Sequence, residues 1–324
     1  MVTATTSAPA VPNGAVTTAP LERRGGGGTR RRGRGLPYAL VVPAVAALLL
    51  ALGYPLVRQV WLSLHDYGLA QQFGQPADWV GLDNYRALVS DSYLWHVLFR
   101  TVVFCLVNAA LTTVLGMGVA LLMRAMAAPV RLLVQSGLLL AWAMPVVASL
   151  TVWEWLFDTQ YGLVNWFVSH LGGSYQGHSW LLEPLSFYFV ATVIVVWMSV
   201  PFVAFTGYAA LTQVSEDLTE AAELDGAGWW ARMRYVVLPG IRPVLMVIGL
   251  LQIIWDLRVF TQIFVLQKAG GVTRDTNLLG TYVYRLGIGG GQFGTAAAVA
   301  MFMLALTVVM TAPYVRTMLK AEED

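Results

Sequence analysis

Six apolar runs, each about 20 residues or longer, divide this 324-residue chain. They cover approximately residues 37–57, 99–123, 132–157, 185–208, 243–266 and 295–315. At about 1.5 Å of rise per residue, a helix over any of them spans the roughly 30 Å of hydrocarbon in a bilayer. The polar stretch between the fourth and fifth runs has its own pattern. From Glu216 to Leu224 it is built mostly of good helix formers, with acidic residues in the first turns, where the helix dipole favours them. Gly226 and Gly228 break that helix. A second helical run, Trp229 to Val237, follows, and Pro239 is expected to stop it. The predicted fold is all-α and membrane-integral, with six transmembrane helices and a short helical hairpin outside the bilayer.

Composition supports this class. Apolar residues make up 57% of the chain and charged residues only 12%, against about 25% charged in an ordinary soluble domain. Mean hydropathy is +0.63. The first apolar run is too long for a signal peptide and has no small-residue cleavage site after it, so it reads as an uncleaved span. Residues 1–36 lack apolar periodicity and turn arginine-rich, which predicts a disordered basic tail. Beside a span, such a tail is a topology signal and an anionic-lipid contact rather than a nucleic-acid arm. Residues 37–318 then form the six-span domain and 319–324 a short C-terminal tail.

Lysine and arginine set the orientation. With the N-terminus in the cytoplasm, the inner segments hold about 13 basic residues and the outer loops about six. Both termini and the 209–242 loop are therefore expected on the cytoplasmic side of the cell membrane.

The chain carries no chemistry of its own that the pattern reveals. The glycine run Gly25–Gly28 is no phosphate loop, because neither lysine, Lys268 or Lys320, follows a glycine or precedes Ser or Thr. His65, His96, His170 and His178 fall in or near outer loops without metal-binding spacing and read as solvated, with His178 beside Trp180 a conceivable contact for a docking partner. Cys105 stands alone in an apolar run and reads as a small buried hydrophobe. No metal site and no catalytic constellation are expected.

Ionisable groups inside spans say more, since each costs at least about 2.5–3.5 kcal/mol to insert. Asp256 and Arg258 lie close to the middle of the fifth run, two residues apart and so on different helix faces. Glu154, in the third run, is the candidate partner for Arg258. Gln252, Trp255 and Gln262 share the fifth run, Trp153 and Trp155 flank Glu154, and Asn108 sits in the second. Amides and carboxylates beside tryptophan faces suit a sugar path, and equally a structural ion pair. The expected substrate pathway is Asn108, Trp153, Glu154, Gln252, Trp255, Asp256 and Arg258.

The hairpin residues carry a family resemblance. Glu220-Ala221-Ala222, Asp225-Gly226-Ala227 and Val236-Val237-Leu238-Pro239 resemble the "EAA" loop of the permease subunits of binding-protein-dependent ABC importers, with Val236 where isoleucine is usual. Trp79-Val80-Gly81-Leu82-Asp83-Asn84-Tyr85 resembles the "VGLxNY" element of carbohydrate permeases in that superfamily. Tyr161-Gly162-Leu163-Val164-Asn165, Gly270-Gly271 and Phe293-Gly294 resemble further elements of the maltose-type group. A finer resemblance, through Asp256–Gln262 and the 76–85 loop, is to actinobacterial permeases for β-linked disaccharides such as chitobiose or cellobiose.

The resemblance implies a type I ABC importer permease fold and half of a sugar translocation pathway. Glu220, Ala221, Ala222, Asp225, Gly226, Leu238 and Pro239 would couple it to an ATPase. It implies a second, related permease subunit, a dimer of ATP-binding subunits and an extracytoplasmic solute-binding protein, with ATP and Mg used by the partner and no cofactor bound by this chain. The chain would be a transporter subunit, not an enzyme, embedded in lipid and without nucleic-acid partners. An ion-coupled secondary transporter or channel is the alternative, and it leaves the hairpin unexplained.

Overall fold

The structure, a computed structural model, describes residues 35–323. The basic tail expected over 1–36 lies outside the described residues apart from its last two positions, and so does Asp324. Two units are distinguished. In the first, which ends at Tyr54, α1 (Gly35–Leu48) runs into a π turn over Leu49–Gly53.

The second unit opens at Pro55, the second residue of α2 (Tyr54–Ser63), followed by β1 (His65–Asp66), α3 (Leu69–Gln72), β2 (Asp78–Trp79) and α4 (Asp83–Ser90). Then come α5 (Ser92–Ala125), α6 (Ala128–Ala143), α7 (Val146–Leu156), α8 (Leu163–His170) and α9 (Pro184–Thr212). The hairpin region holds α10 (Glu216–Leu224), α11 (Trp229–Arg232), a π turn over Met233–Val237 and α12 (Leu238–Leu257). The chain closes with α13 (Thr261–Lys268), α14 (Thr273–Thr276), α15 (Leu279–Tyr284), a third π turn over Arg285–Gly289 and α16 (Phe293–Glu323). The fold is all-α apart from one antiparallel two-residue strand pair, in which His65 faces Trp79.

Among the described residues, five helical stretches are long and apolar enough to cross a membrane: Val41–Ser63, Ser92–Ala125, Pro184–Thr212, Trp229–Lys268 and Phe293–Lys320. The third predicted span, 132–157, departs from expectation. It is two helices, α6 and α7, bent by 100°. Pro145 is the cause, because it lacks a backbone N–H and excludes the helical conformation at the residue before it. Met144 is indeed extended, at φ −67° and ψ 130°.

Pro239 also acts differently from expectation. It does not stop the second hairpin helix, which passes through the π turn at 233–237 straight into α12. A proline removes one N–H and crowds the carbonyl four residues back, here that of Tyr235. The wider π turn sits over that carbonyl, so the helix bulges where it would otherwise break.

Helices α5 and α9 form the centre of the bundle. Gly116 and Gly207 lie where their backbones approach each other. A Cβ on Gly116 would come within 2.5 Å of Val203 Cβ, and one on Gly207 within 2.5 Å of Met117 Sδ. Small residues at such crossings are the usual means of close packing in a bilayer, where burial of apolar surface gives no drive between helices. Away from the hairpin Phe104, Leu150, Phe187, Val190, Ile194, Ile263 and Leu266 make one buried cluster. At the hairpin end Ala120, Ala210, Leu211, Val237 and Ile241 make another, joining α5, α9 and α12.

Candidate functional site

The hairpin is built by one local motif. The N–H of Gly226 donates to Glu223 O (3.0 Å) and the N–H of Ala227 donates to Ala222 O (2.9 Å). Those two bonds, with Gly226 at φ +82°, are a Schellman cap, which satisfies the last carbonyls of α10 and needs a left-handed residue after it. The Glu223 carboxylate pairs with the Arg232 guanidinium across the turn and ties α10 to α11. Glu223 is two-thirds exposed, so this pair contributes no more than about 1 kcal/mol.

The firmness comes from below. Val237 and Ile241 are buried against Ala120, Ala210 and Leu211, with Met233, Leu238 and Val214 packed around them. The outer surface of the hairpin is bare. Glu220 and Ala221 are exposed, and so are Leu218, Leu224, Trp230 and Tyr235. Ala222 is half-buried, Asp225 caps the end of α10 and Pro239 is exposed. The hairpin thus presents exposed leucine and tryptophan on a base locked into the bundle.

The residues expected to form a substrate path do not form one site. Trp255, Asp256 and Gln262 come together with Trp142, Ser199 and Met198 around a cavity of about 320 Å³. Met144 and Val146, on either side of the α6–α7 bend, line the same space. Trp255 is edge-on to Phe202 at 4.9 Å between ring centroids. Asp256 is buried and its Oδ2 has no partner among the described residues.

Gln252, one turn before Asp256, is fully buried with neither amide atom bonded. Asn108 Nδ2 donates to Phe104 O (2.7 Å) and weakly to Thr192 Oγ1 (3.5 Å), which leaves its Oδ1 free. Thr112 Oγ1, a turn further along α5, is also unpartnered. A buried polar atom without a partner is costly, and several on facing helices mark a place for hydroxyls or water.

The remaining three lie elsewhere. Glu154 lines a separate pocket of about 360 Å³ with Trp155, Asp158 and Trp180. Trp153 packs between Phe157 and Trp197 in the apolar core, so its face is occupied. Arg258 is not at mid-span: α12 ends at Leu257, and Arg258 is its exposed cap. It makes no ion pair with Glu154; the pairs among the described residues are Arg86–Asp83 and Arg232–Glu223. The break at 258–260 between α12 and α13 shows why Arg258 is off mid-span: the apolar run extends past a helix end that hydropathy alone does not reveal.

Two of the outer motifs converge on one turn. Asn84 Nδ2 donates to Ser63 O (2.9 Å) and His65 O (3.0 Å), and Tyr85 donates to Ser63 Oγ (2.7 Å). From the far end of the sequence, Gly294 N donates to Tyr67 O (2.9 Å). His65 is therefore not a solvated loop histidine. It is buried, stacked on Trp61 at 3.9 Å. His96 and His170 are exposed on helices α5 and α8, and His178 is half-buried against Trp180. Asn165 is a clasp of the same kind, donating to Thr159 O and His178 O and accepting from Trp180 Nε1. Cys105 is buried as expected, its thiol directed at Ile253 O. These motifs hold the loops at the end of the bundle away from the hairpin.

A helical hairpin rooted in a bundle of apolar helices, with unpartnered polar atoms buried inside it, narrows the class, and comparison with known proteins decides it. Residues 112–316 match the family model described as "Binding-protein-dependent transport system inner membrane component". The chain belongs to this family. It is a multi-pass membrane protein and a permease subunit, not an enzyme.

Among relatives, it is 42% identical over 306 residues to the diacetylchitobiose uptake system permease protein DasB of Streptomyces coelicolor, covering 93% of each chain. It is 33% identical over 283 residues to the trehalose/maltose transport system permease protein MalF of Thermococcus litoralis, covering 87% of this chain and 92% of the other. A bacterial ABC transporter involved in the import of the acidic polysaccharide alginate contains a chain of the same fold, with TM-score 0.73 at 21% identity over 88% of this permease and 95% of that chain. The expected type I importer fold is thus the observed one.

Proposed function

We propose that this permease forms half of the membrane pathway of an ATP-driven importer for a short β-linked oligosaccharide, of the diacetylchitobiose class. The identity with the diacetylchitobiose permease along 93% of both chains carries this reading. The rest of the importer is a second, related permease, a pair of ATP-binding subunits and a solute-binding protein outside. ATP and Mg belong to the ATP-binding subunits and no cofactor to this chain.

Both termini and the α10–α11 hairpin are cytoplasmic, following the basic residues. Closure of the ATP-binding subunits moves the hairpin, and the α12 helix, continuous with it, carries that movement to the cavity beside Asp256 and Trp255. Two alternating states are favoured in turn by the partners that bind them. Asp256, Gln262 and Ser199 supply hydrogen-bonding groups for sugar hydroxyls, and the Trp142 and Trp255 faces cover the apolar side of the ring.

The test is uptake in a strain lacking this gene. Radiolabelled diacetylchitobiose entry should vanish on deletion and return with the intact chain, while maltose entry stays unchanged. Unaltered diacetylchitobiose uptake in the deletion strain sinks the substrate assignment. A cysteine at Ala222 that reacts with a membrane-impermeant reagent only from outside the cell sinks the orientation.

A further inference from the structure

A cavity of about 310 Å³ lies where the hairpin meets the end of α5, and the transport reading gives it no role. Its walls are Leu121, Arg124 and Ala125 of α5, Thr219 of α10, and Trp229, Arg232, Met233 and Val237. The lining is divided. Leu121, Met233 and Val237 give an apolar side continuous with the membrane-spanning helices. Arg124 and Arg232 give a cationic side, with Trp229 exposed beside them.

We propose that this cavity binds the headgroup of an anionic phospholipid, with its glycerol and first methylenes against the apolar side. Three observations fix the occupant. First, the cavity sits at the ends of two candidate spans, Ser92–Ala125 and Trp229–Lys268, so the bilayer surface supplies its contents. Second, its charge is not neutralised from within. Arg232 shares its charge with Glu223, whose carboxylate is largely exposed, whereas Arg124 belongs to no ion pair among the described residues. The other acidic residues of α10, Glu216, Asp217 and Glu220, are exposed, and Thr219 is the α10 residue that lines the space. Third, the chemistry matches. Two guanidinium forks suit the oxygens of one phosphate, and an interfacial tryptophan suits the headgroup level. Basic pockets between helices at the cytoplasmic surface are suited to such headgroups.

The site has a consequence for coupling. The lipid would join α5, which does not move with the hairpin by covalent connection, to α10 and α11, which do. Anionic lipid would then stiffen the base of the lever.

The choice of leaflet rests on the cytoplasmic orientation proposed above, but the binding itself does not. The experiment is therefore run on the purified, fully assembled importer without sugar. Native mass spectrometry after equilibration with phosphatidylglycerol or phosphatidylcholine nanodiscs counts retained lipid. The intact complex should retain phosphatidylglycerol in preference to phosphatidylcholine. Arg124→Gln should weaken that retention about fivefold, the loss expected for one basic residue at an anionic surface. Arg124→Lys, which keeps the charge and tests against misfolding, should fall between the two.

Equal retention of both lipids, or equal phosphatidylglycerol retention in R124Q and the intact complex, overturns the proposal. So does displacement by millimolar inorganic phosphate, which would make this a site for free anions. An external location of Ala222 would move the lipid to the other leaflet and leave these counts unaffected, so the two readings fail separately.

Discussion

Ala227 N–H reaches back over Gly226 to the carbonyl of Ala222, at 2.9 Å, and this bond sets the angle between the two arms of the hairpin. The residue it spans, Gly226, is at φ +82°, and no atom of this chain lies within 4 Å of where its Cβ would be. Any penalty for a side chain there is conformational, not steric. Gly226→Ala should cost about 1–2 kcal/mol in the left-handed conformation, and Gly226→Asn, which tolerates it, distinctly less. Because Val237 and Ile241 anchor the hairpin independently, G226A should reach the membrane at normal levels. Sugar uptake per ATP hydrolysed should fall in G226A and largely recover in G226N. Equal coupling in all three would mean the hairpin angle does not matter.

Asn84 holds the loop after α2 by a single amide that donates to two carbonyls, those of Ser63 and His65. Asn84→Ala leaves both without that donor, at a cost of about 1–3 kcal/mol. Asn84→Asp should be worse, because a carboxylate oxygen then faces two carbonyl oxygens. The check is limited proteolysis of the 66–82 segment in the assembled importer: cleavage should accelerate in the order Asn, Ala, Asp. An unchanged rate in N84D would remove the clamp from the account.

How much of this could be read from the sequence depends on what each feature rests on. The hairpin boundaries follow from Gly226, Gly228 and the acidic first turn of α10, all local signals. The bend at Met144–Pro145 was equally local, yet hydropathy over a 20-residue window averages across a proline. Arg258 misled for the opposite reason: Val259 to Leu266 continue the apolar run, so its position past the end of α12 depends on a helix break that hydropathy does not register. The convergence of Asn84 and Gly294 on the 63–67 turn joins residues more than 200 apart in the chain, and no periodicity contains such a relation. The polar set divided for a related reason. Helical spacing shows that Asp256 and Arg258 face apart, but not that Trp153 faces into the core and Glu154 into a different pocket.

Gly116 and Gly118 offer a matched pair on one helix. A methyl on Gly116 meets Val203 at the α5–α9 crossing, whereas one on Gly118 meets nothing within 4 Å. Overpacking of this kind costs about 1–3 kcal/mol. A helix-interior Gly→Ala change in open space should instead gain up to about 1 kcal/mol. In thermal unfolding of the detergent-solubilised complex, Gly116→Ala should therefore lower the midpoint and Gly118→Ala hold or raise it. Equal behaviour of the two variants would contradict the close approach of α5 and α9.

Asp158 gives the 158–166 turn a pH dependence whose sign can be worked out. The N–H groups of Tyr161 (2.7 Å) and Gln160 (2.8 Å) both donate to its Oδ1. Tyr161 first and Gln160 second hold this carboxyl below its ordinary range. A carboxyl whose folded value is depressed stabilises its turn at every pH above the unfolded value, and that contribution is lost as pH falls through the unfolded value toward the folded one. The 158–166 segment, with the Asn165 clasp on Trp180, should therefore be steady from pH 7 to about 5 and loosen below about 4. Amide hydrogen exchange, corrected for the intrinsic rate at each pH, reads this directly at Gln160 and Tyr161. Asp158→Asn keeps an acceptor but removes the charge, so its exchange should be faster at pH 7 and flat across the same range. Exchange in D158N that still rises sharply below pH 4 would assign the effect to another group.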